Sequence, residues 1–203
     1  MRAFDADRKT YAPERLLAFS DAVMAVAITL LVLDLKLPEG VSDADLGAIL
    51  RGSLHGVGVY ALSFVVIGLF WMGHHQQFSN IRRVDGPLMW LNLLFLMAIG
   101  LIPFATSILS DHGDALPTML YAGVLVAACL VAAAMWGYAR RDPALMPADV
   151  ARSVRREGLV TPLLTALVFA LSIPVAFFWS PAAGQWTWLL ALPASRAAAW
   201  LDN

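Results

Sequence analysis

Polar residues punctuate this chain at wide intervals, and long apolar blocks run between them. The blocks fall at about 14–37, 46–72, 86–109, 117–139, 157–179 and 184–199, with no alternating strand pattern. A helix needs about 20 mostly apolar residues to cross the ~30 Å hydrocarbon core. Within lipid the backbone must satisfy its own hydrogen bonds, which favours helices. The pattern therefore predicts an all-α integral membrane protein with six transmembrane helices per subunit. Pro13 precedes the first block, where a missing N–H costs little, and Pro38 and Gly40 follow it. The sixth block is interrupted by Pro193 and followed by Arg196. Pro103 and Pro174 lie inside the third and fifth, where each removes a backbone N–H and can kink its helix. Gly52, Gly56, Gly58, Ser63 and Gly68 suit close helix contact along the second.

Composition supports lipid as the solvent. The chain is 60% apolar and 14% charged, where a soluble domain has about 45–50% and about 25%. We divide it into a cytoplasmic N-terminal segment, residues 1–13, and a single six-helix membrane domain, residues 14–203. The first 13 residues, MRAFDADRKTYAP, lack an apolar stretch, so no cleavable signal peptide is expected. A net charge of −1 gives a nucleic-acid partner no support. Cys129 is the only cysteine, which excludes an intrachain disulfide and reads as a small packing residue.

The basic residues set the orientation. In a six-span layout the N-terminal segment, the second-to-third connection, the fourth-to-fifth connection and the tail share one side. They hold 12 of the 14 Lys and Arg, and the other side holds only Lys36 and Arg51. The positive-inside rule then places both termini in the cytoplasm of a multi-pass protein of the plasma or cell inner membrane. Trp71, Trp90, Trp136, Trp179, Trp186 and Trp200 lie near predicted helix ends, as interfacial anchors would.

Several polar residues need an account. Asp21 lies about two turns inside the first block, where an ionised carboxylate costs several kcal/mol unless it is paired or hydrated. It reads either as a structural partner for a neighbouring helix or as an ion or proton site. At ~100° per residue, Val26, Leu30, Leu33 and Leu37 form one narrow stripe, extended inward by Phe19. Thr29 and Asp34 flank the stripe, and Asp21 lies on roughly the opposite face. The second block ends in FWMGHHQQF. His74 and His75 are adjacent and do not share a helical face, and no zinc-ligand pattern is present, so no metal or other cofactor is expected. Asp21, His74 and Asn92 share a similar membrane depth and are expected to form a polar network.

These residues resemble a known family. Arg15 followed by Phe19-Ser20-Asp21 is similar to the RxxxFSD signature of the transmembrane-protein-175 family of potassium channels. The continuation AVMAVAITLLVLDL resembles the first span of its bacterial members. Trp71, His74 and Phe78 fit the second-span pattern, and Asn92 and Pro103 the third. The likeness covers about residues 14–140; the last two spans match only in topology. It implies a homotetramer in which the first helix of each subunit lines a pore for K⁺. The bottleneck would fall on Val26, Leu30 and Leu33, flanked by Thr29 and Asp34. Arg15, Phe19, Ser20, Asp21, Trp71, His74 and Asn92 would form the structural polar network. Val26 stands where the family commonly has isoleucine, and a smaller ring implies a wider, less selective constriction.

A potassium-permeable channel with a hydrophobic constriction is therefore the leading reading. The alternative is a secondary cation or proton-coupled carrier using Asp21, although the two halves show none of the internal repeat that carriers often have. A membrane enzyme would need convergent acids or a nucleophile, and only His74 and His75 hint at one. A non-transporting scaffold leaves Asp21 without a purpose.

Overall fold

A computed structural model describes residues 9–35 and 53–191 of the chain. Its elements are helical throughout. They are α1 (Glu14–Leu30) with a 3-10 turn at Leu31–Asp34, α2 (Leu54–Phe78), α3 (Gly86–Asp111), α4 (Ala115–Ala139), α5 (Arg152–Phe178) and α6 (Pro181–Thr187), which runs into a second 3-10 turn at Trp188–Leu190. Among the described residues five helices are long and apolar enough to cross a membrane, the first counted through its 3-10 turn. The sixth predicted span is represented by α6 and its turn; residues 192–199 lie outside the described part, as do Leu37 and Trp200.

The helix boundaries follow from local chemistry. Asp85 caps α3: its backbone is extended and its carboxylate accepts from the Leu88 N–H at 3.0 Å, with proline in the first turn. Ser180 does the same for α6, accepting from the Ala183 N–H at 3.1 Å. The second span continues to Phe78 rather than ending at residue 72, because His74 and Phe78, one turn apart, both face the core. The fifth begins at Arg152, five residues before the expected start, since a helix can carry its charged first turns out of the hydrocarbon.

The helices pack in series. In their most apolar windows α3 is 50% buried and α4 44%, against 22%, 17% and 22% for α1, α2 and α5. So α3 and α4 form the centre, with α1 and α2 on one flank and α5 and α6 on the other. The core is aliphatic and aromatic, with Phe95, Ile99, Ile102, Leu125 and Trp136 fully enclosed. Cys129 is buried among them. On the far flank α6 folds back on α5. A Cβ on Gly184 would stand 2.7 Å from the Ala176 Cβ and 3.0 Å from the Ser172 carbonyl oxygen. The Trp188 indole donates to Ser172 at 2.9 Å, and Gln185 to Thr118 at 3.1 Å.

Two expectations are corrected. Trp136 is not an interfacial anchor: it is buried, lies against Gly158 and donates to the Arg155 carbonyl at 2.9 Å. An indole inside a helix pair needs a partner for its N–H, and the α5 backbone supplies one. Gly58 and Gly68 do not mediate helix contact within the subunit, because a Cβ on either meets nothing within 4 Å. Gly56 does approach α3, where a Cβ would lie 3.4 Å from the Ser110 hydroxyl.

Three basic segments converge on one end of the bundle. Tyr11 and Val84 exchange backbone hydrogen bonds of 2.8 and 2.9 Å. The Arg82 N–H donates to the Leu145 carbonyl at 2.8 Å, and the Arg83 guanidinium to Thr10 at 3.2 Å. Arg155 reaches the carbonyls of Arg140 and Pro147 at 3.2 and 2.7 Å. The start of α1 is thereby tied to the α2–α3 turn, and that turn to the α4–α5 linker.

Candidate pore helix and its polar anchor

The first helix has two faces. Ser20, Met24, Ala27 and Leu31 recur at i, i+4, i+7 and i+11 and are all buried against the subunit. Val26 is turned about 160° from Met24 and is 55% exposed; Leu30 is 44% and Leu33 68% exposed. Phe19 is exposed on the same side, and Ile28 packs toward the core. The stripe is therefore surface, not interior packing of this subunit. Thr29 is exposed beside it, its hydroxyl donating to the Val26 carbonyl at 2.8 Å. Asp34 is half-buried.

The 3-10 turn alters the register of the stripe. From Leu30 to Leu33 the chain advances at about 120° per residue, so residues three apart eclipse. Leu33 then stands almost directly above Leu30, where an α-helix would turn it about 60° away.

A hydrogen-bond chain anchors the buried face. Ser20 donates to the Leu16 carbonyl at 2.8 Å, and its oxygen receives the Asn92 amide at 2.9 Å. That leaves the Asn92 carbonyl oxygen facing His74, whose Nε2 lies 2.8 Å away and acts as the donor. Ser20, Asn92 and His74 are all buried. The His74 ring stacks on Phe95 at 5.3 Å and lies 4.5 Å from Phe78. Three elements, α1, α2 and α3, are thus joined by groups that lipid could not satisfy. The His74 Nδ1 has no partner among the described residues.

Asp21 does not join that chain, contrary to the expected network of Asp21 with His74 and Asn92. Its neighbour Ser20 holds the inward direction, and a step of about 100° turns the carboxylate toward α2 instead. There the Trp71 indole N–H donates to it at 2.8 Å. Arg15 and Phe19 are exposed and stand apart from both contacts.

A second polar cluster was not singled out from the sequence. Thr106 donates to Ser63 at 2.8 Å, and Ser63 and Tyr121 share a hydrogen bond of 3.0 Å, all three buried. It links α2, α3 and α4. Hydroxyl residues inside three separate apolar blocks were the available signal, but nothing in their spacing pairs them.

Among the described residues no group of three His, Cys, Asp or Glu is placed to hold a metal. His74 and His75 point apart, one buried and one exposed. The arrangement is an anchored helix with an apolar outward stripe.

Comparison with known proteins points the same way. The model of the family described as endosomal/lysosomal potassium channel TMEM175 matches residues 15–103. A potassium channel of Streptomyces collinus is 36% identical over 172 residues, covering 82% of this chain and 84% of its own. Another, from a Chryseobacterium species, is 31% identical over 182 residues, covering 88% and 90%. The crystal structure of a lysosomal potassium-selective channel TMEM175 homolog from Chamaesiphon minutus superposes with a TM-score of 0.79. It is 26% identical, with 91% of this chain and 97% of that one covered.

Proposed function

The chain belongs to the TMEM175 family of multi-pass membrane proteins, ion channels and not enzymes, and from that premise we propose that it conducts K⁺ through a hydrophobic constriction lined by α1. The supporting observation is the outward stripe: Val26, Leu30 and Leu33 are exposed on the subunit while the opposite face of the same helix is anchored. One helix face cannot enclose a path, so the stripe is completed by other copies, as a homotetramer around a shared axis. The narrow apolar ring resists water when closed and needs no charged gate. Selectivity then comes from partial dehydration of the ion in an uncharged tube. Thr29 has its hydroxyl turned back on its own helix, and Asp34 lies near the mouth away from the basic end. Both termini and the basic connections face the cytoplasm.

Cysteine accessibility tests the assignment. Cys129 is buried, so the native chain is a quiet background. Single cysteines at 26, 30 and 33 are expected to react with a water-soluble thiol reagent and to block current, and cysteine at 28 to stay silent. A reagent that reaches Ile28→Cys but misses all three stripe positions would sink the pore assignment. Bilayer recordings with K⁺/Na⁺ reversal potentials test the activity itself: single-channel steps support a channel, and saturating alternating-access kinetics overturn it.

A further inference from the structure

A cleft of about 370 Å³ opens between the α2–α3 turn and the α4–α5 linker, and its lining includes Ser79, Asn80, Arg82, Pro147 and Asp149. Ile81, which also lines it, is buried. The Ser79 hydroxyl and the Asn80 amide are already engaged, both with the Gln76 carbonyl, at 2.7 and 2.9 Å. The charged groups are not. Arg82 and Asp149 are exposed, and among the described residues neither side chain forms an ion pair or hydrogen bond, with the other or with anything else. Among the described residues the cleft thus presents one free cation and one free anion.

Its depth restricts the ligand. Helix α2 has 25 residues, about 37 Å at 1.5 Å each. The hydrocarbon core is about 30 Å thick and the whole bilayer about 40–45 Å. A helix of that length reaches the headgroup layer, and the cleft begins one residue past its end. The adjoining linker is held in place by the Arg82 N–H to Leu145 bond and by the Arg155 fork, so the site is built on fixed backbone.

We propose that this cleft binds the headgroup of a phosphoethanolamine-bearing membrane lipid. The Arg82 guanidinium presents a fork of N–H donors suited to phosphate oxygens. The Asp149 carboxylate accepts from the primary ammonium. A choline headgroup carries the phosphate but no N–H on its cation, and a glycerol headgroup carries no cation. Discrimination among the three headgroups is therefore the signature of the site. The proposal stands apart from conduction, and its readout is bound lipid, so its failure would leave the channel reading untouched.

The full chain is reconstituted in vesicles of equal parts phosphatidylethanolamine, phosphatidylcholine and phosphatidylglycerol, extracted in mild detergent, and its retained lipid quantified. The native chain is expected to retain phosphatidylethanolamine several-fold over the other two. Arg82→Gln should lose retention of all three. Asp149→Asn should keep phosphate-bearing lipid but lose the preference among headgroups. Both side chains are exposed and free, so the variants should fold and elute as the native chain does. Arg141→Gln, an exposed arginine outside the cleft, should behave as native. Equal retention of the three lipids by the native chain overturns the proposal, as does an unchanged preference in both cleft variants. Glycerophosphoethanolamine carries the same headgroup and should displace the retained lipid at millimolar concentration, whereas glycerophosphocholine should not; equal displacement by both overturns headgroup recognition.

Discussion

The Trp71 indole donates to the Asp21 carboxylate at 2.8 Å, fastening α1 to α2 beside the buried Ser20. A hydrogen bond to a charged acceptor contributes about 1.5–3 kcal/mol, and partial exposure of Trp71 reduces that here to about 1 kcal/mol. Trp71→Phe should lower the melting midpoint of the detergent-solubilised protein by a corresponding small amount. Asp21→Asn keeps an acceptor but removes the charge, and should reduce folded yield or assembly more than it alters selectivity. An Asp21→Asn protein that assembles normally while shifting its K⁺/Na⁺ ratio would contradict this assignment.

The Ser20–Asn92–His74 chain predicts strong coupling. Asn92→Ala leaves the buried His74 N–H without an acceptor, at a cost of about 1–3 kcal/mol. Ser20→Ala orphans the Asn92 amide in the same way. Once Asn92 is gone, that second penalty has no source. The double variant should therefore be little worse than Asn92→Ala alone, as read from thermal or denaturant unfolding. Additive losses would mean that the three groups do not act as one chain.

Glycines divide into two sets. Gly158→Ala would drive a Cβ into the Trp136 indole ring, and overpacking of this kind costs about 1–3 kcal/mol. Trp136→Leu in the same chain should restore part of the loss. Gly58→Ala and Gly68→Ala meet nothing within the subunit and should leave its own fold unharmed. Size-exclusion profiles would show whether either weakens the oligomer, which would place α2 at a subunit contact.

Polar substitution in the stripe should wet the constriction. Leu30→Ser or Val26→Asn is expected to raise leak current and weaken discrimination between K⁺ and Na⁺. Removing the Asp34 charge should instead lower conductance by reducing local cation concentration, an effect that fades as salt rises. Recordings across a salt series separate the two behaviours; an Asp34→Asn effect independent of salt would refute the electrostatic account.

Topology gives a further test. Ala144 and Ala148 are exposed in the α4–α5 linker. Cysteine at either should be labelled by an impermeant reagent only from the cytoplasmic side, given the 12-to-2 division of basic residues. Labelling only from outside would invert the orientation.

The spans were legible because lipid imposes a crude, strong rule: about twenty apolar residues, then a break. Caps such as Asp85 were legible for the same kind of reason, being local. Which polar residue meets which was not. Ser20 and Asp21 are adjacent and share a depth, so depth could place both near Asn92, but only packing angle decides that Ser20 faces inward and Asp21 meets Trp71. Trp136 was misplaced because position near a helix end does not distinguish an indole facing lipid from one facing a neighbouring helix. The Ser63–Thr106–Tyr121 cluster was invisible because its members lie on three helices and no sequence spacing relates them.

The 3-10 turn at the far end of α1 has a mechanical consequence. A 3-10 residue rises about 2.0 Å and turns about 120°, an α residue about 1.5 Å and 100°. Converting the three steps from Leu30 to Leu33 into α geometry would shorten the helix by about 1.5 Å and swing Leu33 by about 60°. Length and heading are therefore geared together, like thread and pitch on a screw: α1 cannot retract at this end without also turning Leu33 off the line of Leu30.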